Sequence, residues 1–261
     1  MNENFKCSSC SKESYNSVPV ARVMEKLDEL FSKNDLPAVG RLLDYWDNEA
    51  RLINDPRGLL EILNEKIGYY RRTSEKEKGI ASVYEAFELI DKLNAAELVS
   101  SATVYLNGAT TLKSFGKTQE AMPYYDKAEK IYLHELDEKD FRLAAFYNNV
   151  SSAYIDLGNS DLAEKCCIHA LEILNGQNEF LGEMAVTKVN LAHMYYSADP
   201  FDERAYKCMD DAWEYLMSKD CKRDGNYAFV CSKCYPSFGF FGYFEKEAEL
   251  KALMEKIYAG N

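Results

Sequence analysis

The feature that most constrains the fold of this 261-residue chain is an internal repeat with a period of 42 residues. Three positions filled by small or apolar residues, separated by four and three residues, recur in four successive copies. These offsets place all three positions on one face of an α-helix. The recurring positions are Gly79, Ala121, Ala163 and Ala205; Val83, Tyr125, Cys167 and Met209; and Ala86, Ala128, Ala170 and Ala212. Because a single repeat unit cannot bury its apolar face alone, the pattern predicts a stack of helical units.

A second helix is predicted before three of these helices. The segments that contain Asn107, Asn149 and Asn190 share a small residue two positions later and a large apolar residue five positions later. Gly116 and Gly158 then stand where a helix must stop. Each repeat is therefore predicted to be a helical hairpin. Its small residues allow close helix contact, while its tyrosines fill the space between hairpins and place their hydroxyl groups at the surface.

Weaker versions of the same hairpin are predicted on both sides of the clear copies. Residues 20–54 have an amphipathic pattern, and residues 57–93 keep the register of the second helix. Lys66 occupies a position in that hairpin where a buried residue is expected. Residues 224–258 form a last, degenerate hairpin, as expected for an end unit with one solvent-exposed side. The chain is therefore predicted to contain about six antiparallel helix pairs.

The order of small, aromatic, Gly and Ala positions in the copies Ala102–Tyr132 and Ala144–Leu174 resembles the tetratricopeptide repeat (TPR). The 42-residue length is similar to that of the repeats in kinesin light chains and in bacterial TPR regulators. The resemblance is specific over residues 97–218 and weaker outside them. It implies an all-α, right-handed superhelical solenoid whose first helices line a concave groove that binds a protein or peptide.

A row of asparagines supplies the candidate binding residues. Asn107, Asn149 and Asn190 occupy one equivalent position on the first helix of three repeats. Since a side-chain amide both donates and accepts hydrogen bonds, such a row could hold the backbone of an extended peptide, a use that the resemblance implies. The alternative is that these amides bond to neighbouring helices or to local backbone. The other residues expected on or near the same surface are Thr103, Thr110, Asn148, Ser152 and His193.

Charge bears on the choice of partner. Lys and Arg total 31 against 43 Asp and Glu, which gives a net charge of −12. This balance favours a neutral or basic protein partner and disfavours nucleic acid and anionic membranes. Repeats that bind chaperone C-termini clamp carboxylates with Lys and Arg at groove positions. The corresponding positions here hold Thr103, Leu106, Ala145 and Asn148. A carboxylate clamp is thus not expected there, although Lys188 and Lys233 could supply some positive charge.

Catalytic and cofactor motifs are absent from the sequence. There is no phosphate-binding or dinucleotide-binding glycine pattern, no GxSxG and no HExxH, and the chain has three histidines. No enzymatic activity, cofactor or metal is therefore expected. The pairs Cys7/Cys10 and Cys231/Cys234 have zinc-ligand spacing. They are expected at opposite ends of an extended array, and Cys234 has the register of a core residue. The sequence leaves open whether Cys7 and Cys10 alone are redox-active or bind metal.

The domain organisation is simple. The polar residues 1–17 predict a flexible tail, and residues 18–261 predict a single helical-repeat domain because no Gly/Ser/Pro-rich linker interrupts them. The start of the sequence lacks an apolar stretch, so no secretory signal is predicted. Eight cysteines without such a signal favour reduced thiols and a cytoplasmic location.

These observations lead to one main functional hypothesis. The chain is predicted to be a non-enzymatic scaffold or adaptor that binds an extended peptide segment of a partner in its concave groove. One alternative is a peptide-sensing regulator without a DNA-binding domain, since the helices begin near Val20 and leave no room for one. Another is an accessory subunit of a separately encoded enzyme.

Overall fold

A computed structural model describes residues 16–260 of the chain. Within that range it consists of twelve α-helices and one short 3-10 helix, and it contains no strand. The helices are α1 (Val20–Ser32), α2 (Leu36–Leu52), α3 (Pro56–Arg72), α4 (Lys76–Lys92), α5 (Val99–Ser114), α6 (Thr118–Glu135), α7 (Phe141–Asp156), α8 (Ser160–Leu174), α9 (Leu181–Ala198), α10 (Glu203–Met217), α11 (Gly225–Phe240) and α12 (Phe244–Tyr258), with the 3-10 helix at Asn178–Phe180. The predicted all-α stack of six helix pairs is confirmed.

Each odd-numbered helix is the first helix of a hairpin, and the even-numbered helix after it packs against it. The alanines of the 42-residue register lie where helices touch, and all are fully buried. They are Ala86, Ala121, Ala128, Ala163, Ala170, Ala205 and Ala212. A larger side chain at any of these points would push two helices apart, because protein interiors are close-packed. The core is continuous, since its two buried clusters share Leu171, Tyr215 and Cys221 as half-buried neighbours.

The tyrosines depart from the expectation that their hydroxyl groups reach the surface. Tyr125 and Tyr132 are at most 1% exposed. The hydroxyl of Tyr125 donates to Thr110 Oγ1 at 3.2 Å, and the hydroxyl of Tyr132 shares a hydrogen bond with Thr103 Oγ1 at 2.9 Å. The expectation is wrong for these two residues because a threonine of the preceding first helix satisfies each hydroxyl inside the stack.

The curvature of the stack brings its two ends together. The end of α1 meets the start of α11 so closely that a Cβ on Gly225 would overlap the backbone of Ser32. The Arg72 guanidinium lies over the rings of Phe31 on α1 and Phe229 on α11, at 5.5 and 4.8 Å. The expected extended array with separated ends is therefore wrong. Small rotations between successive hairpins add up until the first and last pairs touch.

No helix in residues 16–260 is both long and apolar enough to cross a membrane.

Candidate binding site in the concave surface

A cavity of about 710 Å³ lies where the first helices face one another. Residues from α1, α3, α5, α7 and α11 line it, so it forms only because the two ends of the stack meet. Its volume is within the range of about 300–1,000 Å³ that is usual for ligand pockets. We call it the central cavity. The lining residues that matter here are Phe31, Arg71, Arg72, Thr110, Asn149, Phe229 and Lys233.

The three asparagines of the predicted row have different surroundings. Asn149 lines the central cavity; its Oδ1 accepts from Thr110 Oγ1 at 3.3 Å, and its Nδ2 donates to the Ala145 carbonyl at 2.8 Å. Asn107 Nδ2 donates to Asn64 Oδ1 at 2.8 Å. Asn190 is half-buried and forms no hydrogen bond within residues 16–260. Two of the three amides thus already have a protein partner, and one has none.

Most of the neighbouring predicted residues are also hydrogen-bonded within the protein. Asn148 Oδ1 accepts from Thr187 Oγ1 at 2.8 Å, and the Ser152 hydroxyl donates to the Asn149 carbonyl at 2.8 Å. His193 Nε2 lies 2.8 Å from Ser237 Oγ, and burial lowers the pKa of this histidine. Of the eight residues predicted for the groove, only Thr110 and Asn149 line the central cavity.

At least one side-chain hydrogen bond joins each first helix to the next, from α3 to α11, and the bond of Arg71 to Thr111 is a second one between α3 and α5. Each such bond contributes about 1 kcal/mol, so the series fixes the spacing of the helices that form the concave surface. The bonds are Asn64–Asn107 between α3 and α5, Thr110–Asn149 between α5 and α7, Asn148–Thr187 between α7 and α9, and His193–Ser237 between α9 and α11.

Three cationic side chains face the central cavity, two from α3 and one from α11. Arg71 donates from Nη1 to the Asn107 carbonyl at 3.2 Å and to Thr111 Oγ1 at 3.0 Å, and desolvation lowers its pKa. Arg72 donates from Nη2 to Asn34 Oδ1 at 2.7 Å. Lys233 Nζ lies 4.3 Å from the centre of the Phe229 ring. The side chain of Lys233 is exposed to the space inside the cavity.

A family model for the tetratricopeptide repeat matches residues 144–173, which form the hairpin of α7 and α8. BtubC (BKLC) from P. vanneervenii has a similar structure, with 19% identity, a TM-score of 0.54, and coverage of 88% of this chain and 91% of that one. A Podosopora anserina protein with nearly identical kinesin light chain TPR-like repeats has 15% identity, a TM-score of 0.53, and coverage of 77% and 95%. The chain folds as a tetratricopeptide-repeat solenoid. Among curated proteins, no sequence matches it.

The solenoid places two lysines that the sequence treats alike in very different surroundings. Lys188 Nζ forms an ion pair with Asp211 Oδ2 at 2.6 Å, so its charge is already neutralised. Lys233 forms no ion pair within the described residues. Desolvation lowers the pKa of Lys233, and the nearby charges of Arg71 and Arg72 lower it further. Within residues 16–260, Lys233 is therefore a cation without a carboxylate partner.

Sequence reasoning missed the two arginines. Arg71 and Arg72 end α3, in a hairpin where the repeat pattern is weak. Their neighbours Phe229 and Lys233 lie on α11, the first helix of the last hairpin. Two consecutive arginines at the end of a helix that faces the groove were the available signal. On its own, that signal would have been assigned to the favourable interaction of cations with a helix C-terminus.

Four of the six cysteines within the described residues are buried packing groups. Cys231 and Cys234 are fully buried, and desolvation raises the pKa of both thiols to about 12. Residues 16–260 contain no group of three potential metal ligands. Cys7 and Cys10 lie outside the described residues. Buried thiols with a high pKa are poor nucleophiles and poor metal ligands.

Proposed function

We propose that this TPR solenoid is a non-enzymatic scaffold that binds an extended peptide segment of a partner protein in its concave surface. The observation that carries the proposal is the central cavity, where Thr110 and Asn149 lie beside the aromatic rings of Phe31 and Phe229. Such a mixture of amide, hydroxyl and aromatic groups suits a peptide, which presents both backbone polar groups and apolar side chains.

The polar groups of the site retain capacity for a ligand. Asn149 uses one N–H and one lone pair of its amide, so one N–H and one lone pair remain. Among the described residues, none uses a donor or acceptor of the Asn190 amide. Two amides on nearby first helices can hold the backbone of an extended segment without reading its side chains.

The overall charge supports a choice of partner for the rest of the surface. With a net charge of −12, the exposed faces attract neutral or basic protein surfaces and repel nucleic acid and anionic membranes. We also propose a cytoplasmic location, for which the cysteines between Cys166 and Cys234, all of them unpaired thiols, give support.

The proposal is tested by capture from a native lysate, with mass spectrometry as the readout. The wild type is compared with the double variant Asn149→Ala/Asn190→Ala and with the control Asn178→Ala, whose exposed amide bonds Asp220 away from the cavity. We expect one partner to be retained by the wild type and the control and lost by the double variant, whose melting temperature falls by only a few degrees because it loses the bond between Thr110 and Asn149. Equal capture by all three proteins would contradict groove binding.

One further observation favours a peptide-sensing regulator as a second candidate. Because α1 and α11 touch beside the cavity, a ligand inside it contacts both ends of the solenoid at once. Ligand binding would then change the closure of the ring, which small-angle X-ray scattering detects as a change in the radius of gyration. An unchanged radius on peptide binding would leave the scaffold as the better description.

A further inference from the structure

The positive charge in the central cavity has no counter-ion among the described residues. Arg72 and Lys233 lie 4.8 and 4.3 Å from the centre of one ring, that of Phe229, so both cations border the same aromatic side chain. Arg71 is near enough to lower the pKa of Lys233 by its charge. None of the three forms an ion pair within residues 16–260. The face of an aromatic ring attracts cations but cannot replace a counter-ion.

The carboxylates near these cations do not neutralise them. Asp224 accepts from the backbone N–H groups of Asn226 and Tyr227 at the start of α11, and it pairs with Lys222 at 3.1 Å. Asp28 lines the cavity from α1 but is exposed. Glu183 acts on Lys233 from a distance without forming an ion pair. In a chain of net charge −12, the lining of the central cavity therefore holds three cations against the two carboxylates of Asp28 and Asp224.

We propose that Arg71, Arg72 and Lys233 form an anion site, which binds a carboxylate or phosphate group carried by the peptide in the central cavity. This inference rests on the proposed function and adds the chemistry of the bound segment, which is acidic where it meets these residues. Arginine and lysine together provide planar, forked donors and a point charge, a combination suited to an oxyanion.

The location of the site gives it a second consequence. Arg71 and Arg72 belong to α3, and Lys233 belongs to α11, so an anion bound to both helices bridges the contact between the two ends of the solenoid. The bound anion replaces repulsion among three like charges with attraction to one shared group. The site is also separate from the uncharged positions of Thr103 and Leu106, where chaperone-binding repeats carry their clamps.

The test uses three fluorescently labelled hexapeptides of Gly and Ser that carry two central Glu, two Gln or two phosphoserine residues. Their affinities are measured by fluorescence anisotropy for the wild type, for Lys233→Met and Arg72→Met, and for the control Lys92→Met. Lys92 is exposed on α4, so its variant makes the same change in net charge away from the cavity. We expect the wild type and the control to prefer an acidic peptide over the Gln peptide by about tenfold.

We expect each cavity variant to lose that preference while keeping a wild-type circular dichroism spectrum. A higher affinity for the phosphoserine peptide would identify phosphate as the preferred group, and a higher affinity for the Glu peptide would identify carboxylate. Both results support the site. Equal affinity of the wild type for the Glu, phosphoserine and Gln peptides would overturn the inference. An equal loss in Lys92→Met would also overturn it, because binding would then follow net charge alone.

A second measurement separates the anion site from the proposed peptide function. Inorganic phosphate should raise the melting temperature of the wild type and of Lys92→Met at constant ionic strength, but not that of Lys233→Met. If phosphate acts in this way and no peptide partner is found, the anion site stands and the proposed function fails. If a partner depends on Asn149 and Asn190 while phosphate and acidic peptides show no effect, the proposed function stands and the anion site fails.

Discussion

The N-terminal and central parts of the solenoid reach the same helix arrangement by different repeats. In the N-terminal part, α2, α3 and α4 each contain 17 residues and begin 20 residues apart. The residues with positive φ at the ends of α1 to α4 follow the same spacing. They are Asn34, Asn54, Ser74 and Asn94. In the central part, the unit is a hairpin of 42 residues, and glycine takes the equivalent position at Gly116 and Gly158. A repeat of one 20-residue helical unit and a repeat of one 42-residue hairpin can thus follow each other in the same stack.

The turns themselves have the same hydrogen bonding in both parts. Asp55 N–H donates to the Ala50 carbonyl at 2.9 Å, and Asn159 N–H donates to the Tyr154 carbonyl at 2.8 Å. Both bonds span five residues and close the last turn of a helix around a left-handed residue. The N-terminal part obtains this conformation from asparagine or serine, whereas the central part uses glycine, for which the conformation has no steric cost.

The two parts also differ in what they bury. The central hairpins bury alanine and tyrosine at their contacts, whereas α2 and α3 bury charge. Lys66 and Asp47 are each 9% exposed, and Lys66 Nζ lies 3.0 Å from Asp44 Oδ1 and 3.7 Å from Asp47 Oδ1. Burial alone would lower the pKa of Lys66, but the two carboxylates more than offset it and raise the pKa. This network explains why a lysine occupies an apolar register position.

The largest expected effect follows from breaking that buried network. Asp47→Ala removes a carboxylate that also holds Arg51 through two contacts of 3.1 Å, and it leaves the charge of Lys66 partly unpaired. We expect the free energy of unfolding, measured by urea denaturation, to fall by about 3 kcal/mol. Asp44→Ala removes the exposed partner of Lys66 and should cost less than about 1 kcal/mol. Equal effects would mean that burial of the pair does not matter.

The next effect concerns the point where the two ends of the solenoid meet. Gly225→Ala places a methyl group against Ser32, so we expect a loss of about 2 kcal/mol in urea and a larger radius of gyration in X-ray scattering. Gly68→Ala is the matched control. It lines the same cavity, its added Cβ has no neighbour within 4 Å, and it should gain about 0.5–1 kcal/mol. A stable, unexpanded Gly225→Ala would show that the contact does not hold the ring closed.

The sequence predicts the part of this fold that local rules determine. A 42-residue register with Ala128 and Ala170 at its centre specifies where helices touch, and Gly116 and Gly158 specify where they end. The 20-residue spacing of Asn54 and the other left-handed residues is equally visible in the sequence, but asparagine and serine are weaker signals than glycine. Local rules therefore predict the helices and hairpins well.

The candidate site is only partly predictable for a physical reason. Thr110 and Asn149 are accessible to sequence reasoning because they share a face of neighbouring repeats. The approach of Arg71 to Lys233 depends on the sum of many small rotations between hairpins, and no local pattern encodes that sum. Only the three-dimensional structure brings these two cations into one cavity.

The difference between the turns can be tested by exchanging their residues. Gly158→Ser forces a side chain into the left-handed conformation, and since no atom lies within 4 Å of the added Cβ, the cost is conformational alone. We expect a loss of about 1 kcal/mol. Ser74→Gly removes the steric cost of the same conformation in the N-terminal part, so the free energy of unfolding should rise. The rise should be only about 0.5 kcal/mol, because the greater freedom of glycine in the unfolded chain offsets part of the benefit. Urea denaturation measures both changes.

The smallest expected effect concerns His193 on α9, a half-buried titratable group with no ion pair among the described residues, in contrast to the ion-paired Lys66 of the N-terminal part. His193 contacts Ser237 and the rings of Phe240 and Phe241, and desolvation lowers its pKa. The folded state therefore binds this proton less readily than the unfolded chain. Stability should fall as the pH drops below the ordinary histidine pKa of about 6.5.

This acid sensitivity should disappear from His193→Gln when urea midpoints are compared between pH 7 and pH 5. Ser237→Ala is the informative control, because it removes the hydrogen bond but leaves the histidine half-buried against Phe240 and Phe241. If desolvation is the cause of the lowered pKa, Ser237→Ala keeps the wild-type pH dependence even though its stability is lower at every pH. A loss of pH dependence in Ser237→Ala would instead assign the shift to the hydrogen bond, and the polar link between α9 and α11 would then be the acid-sensitive element.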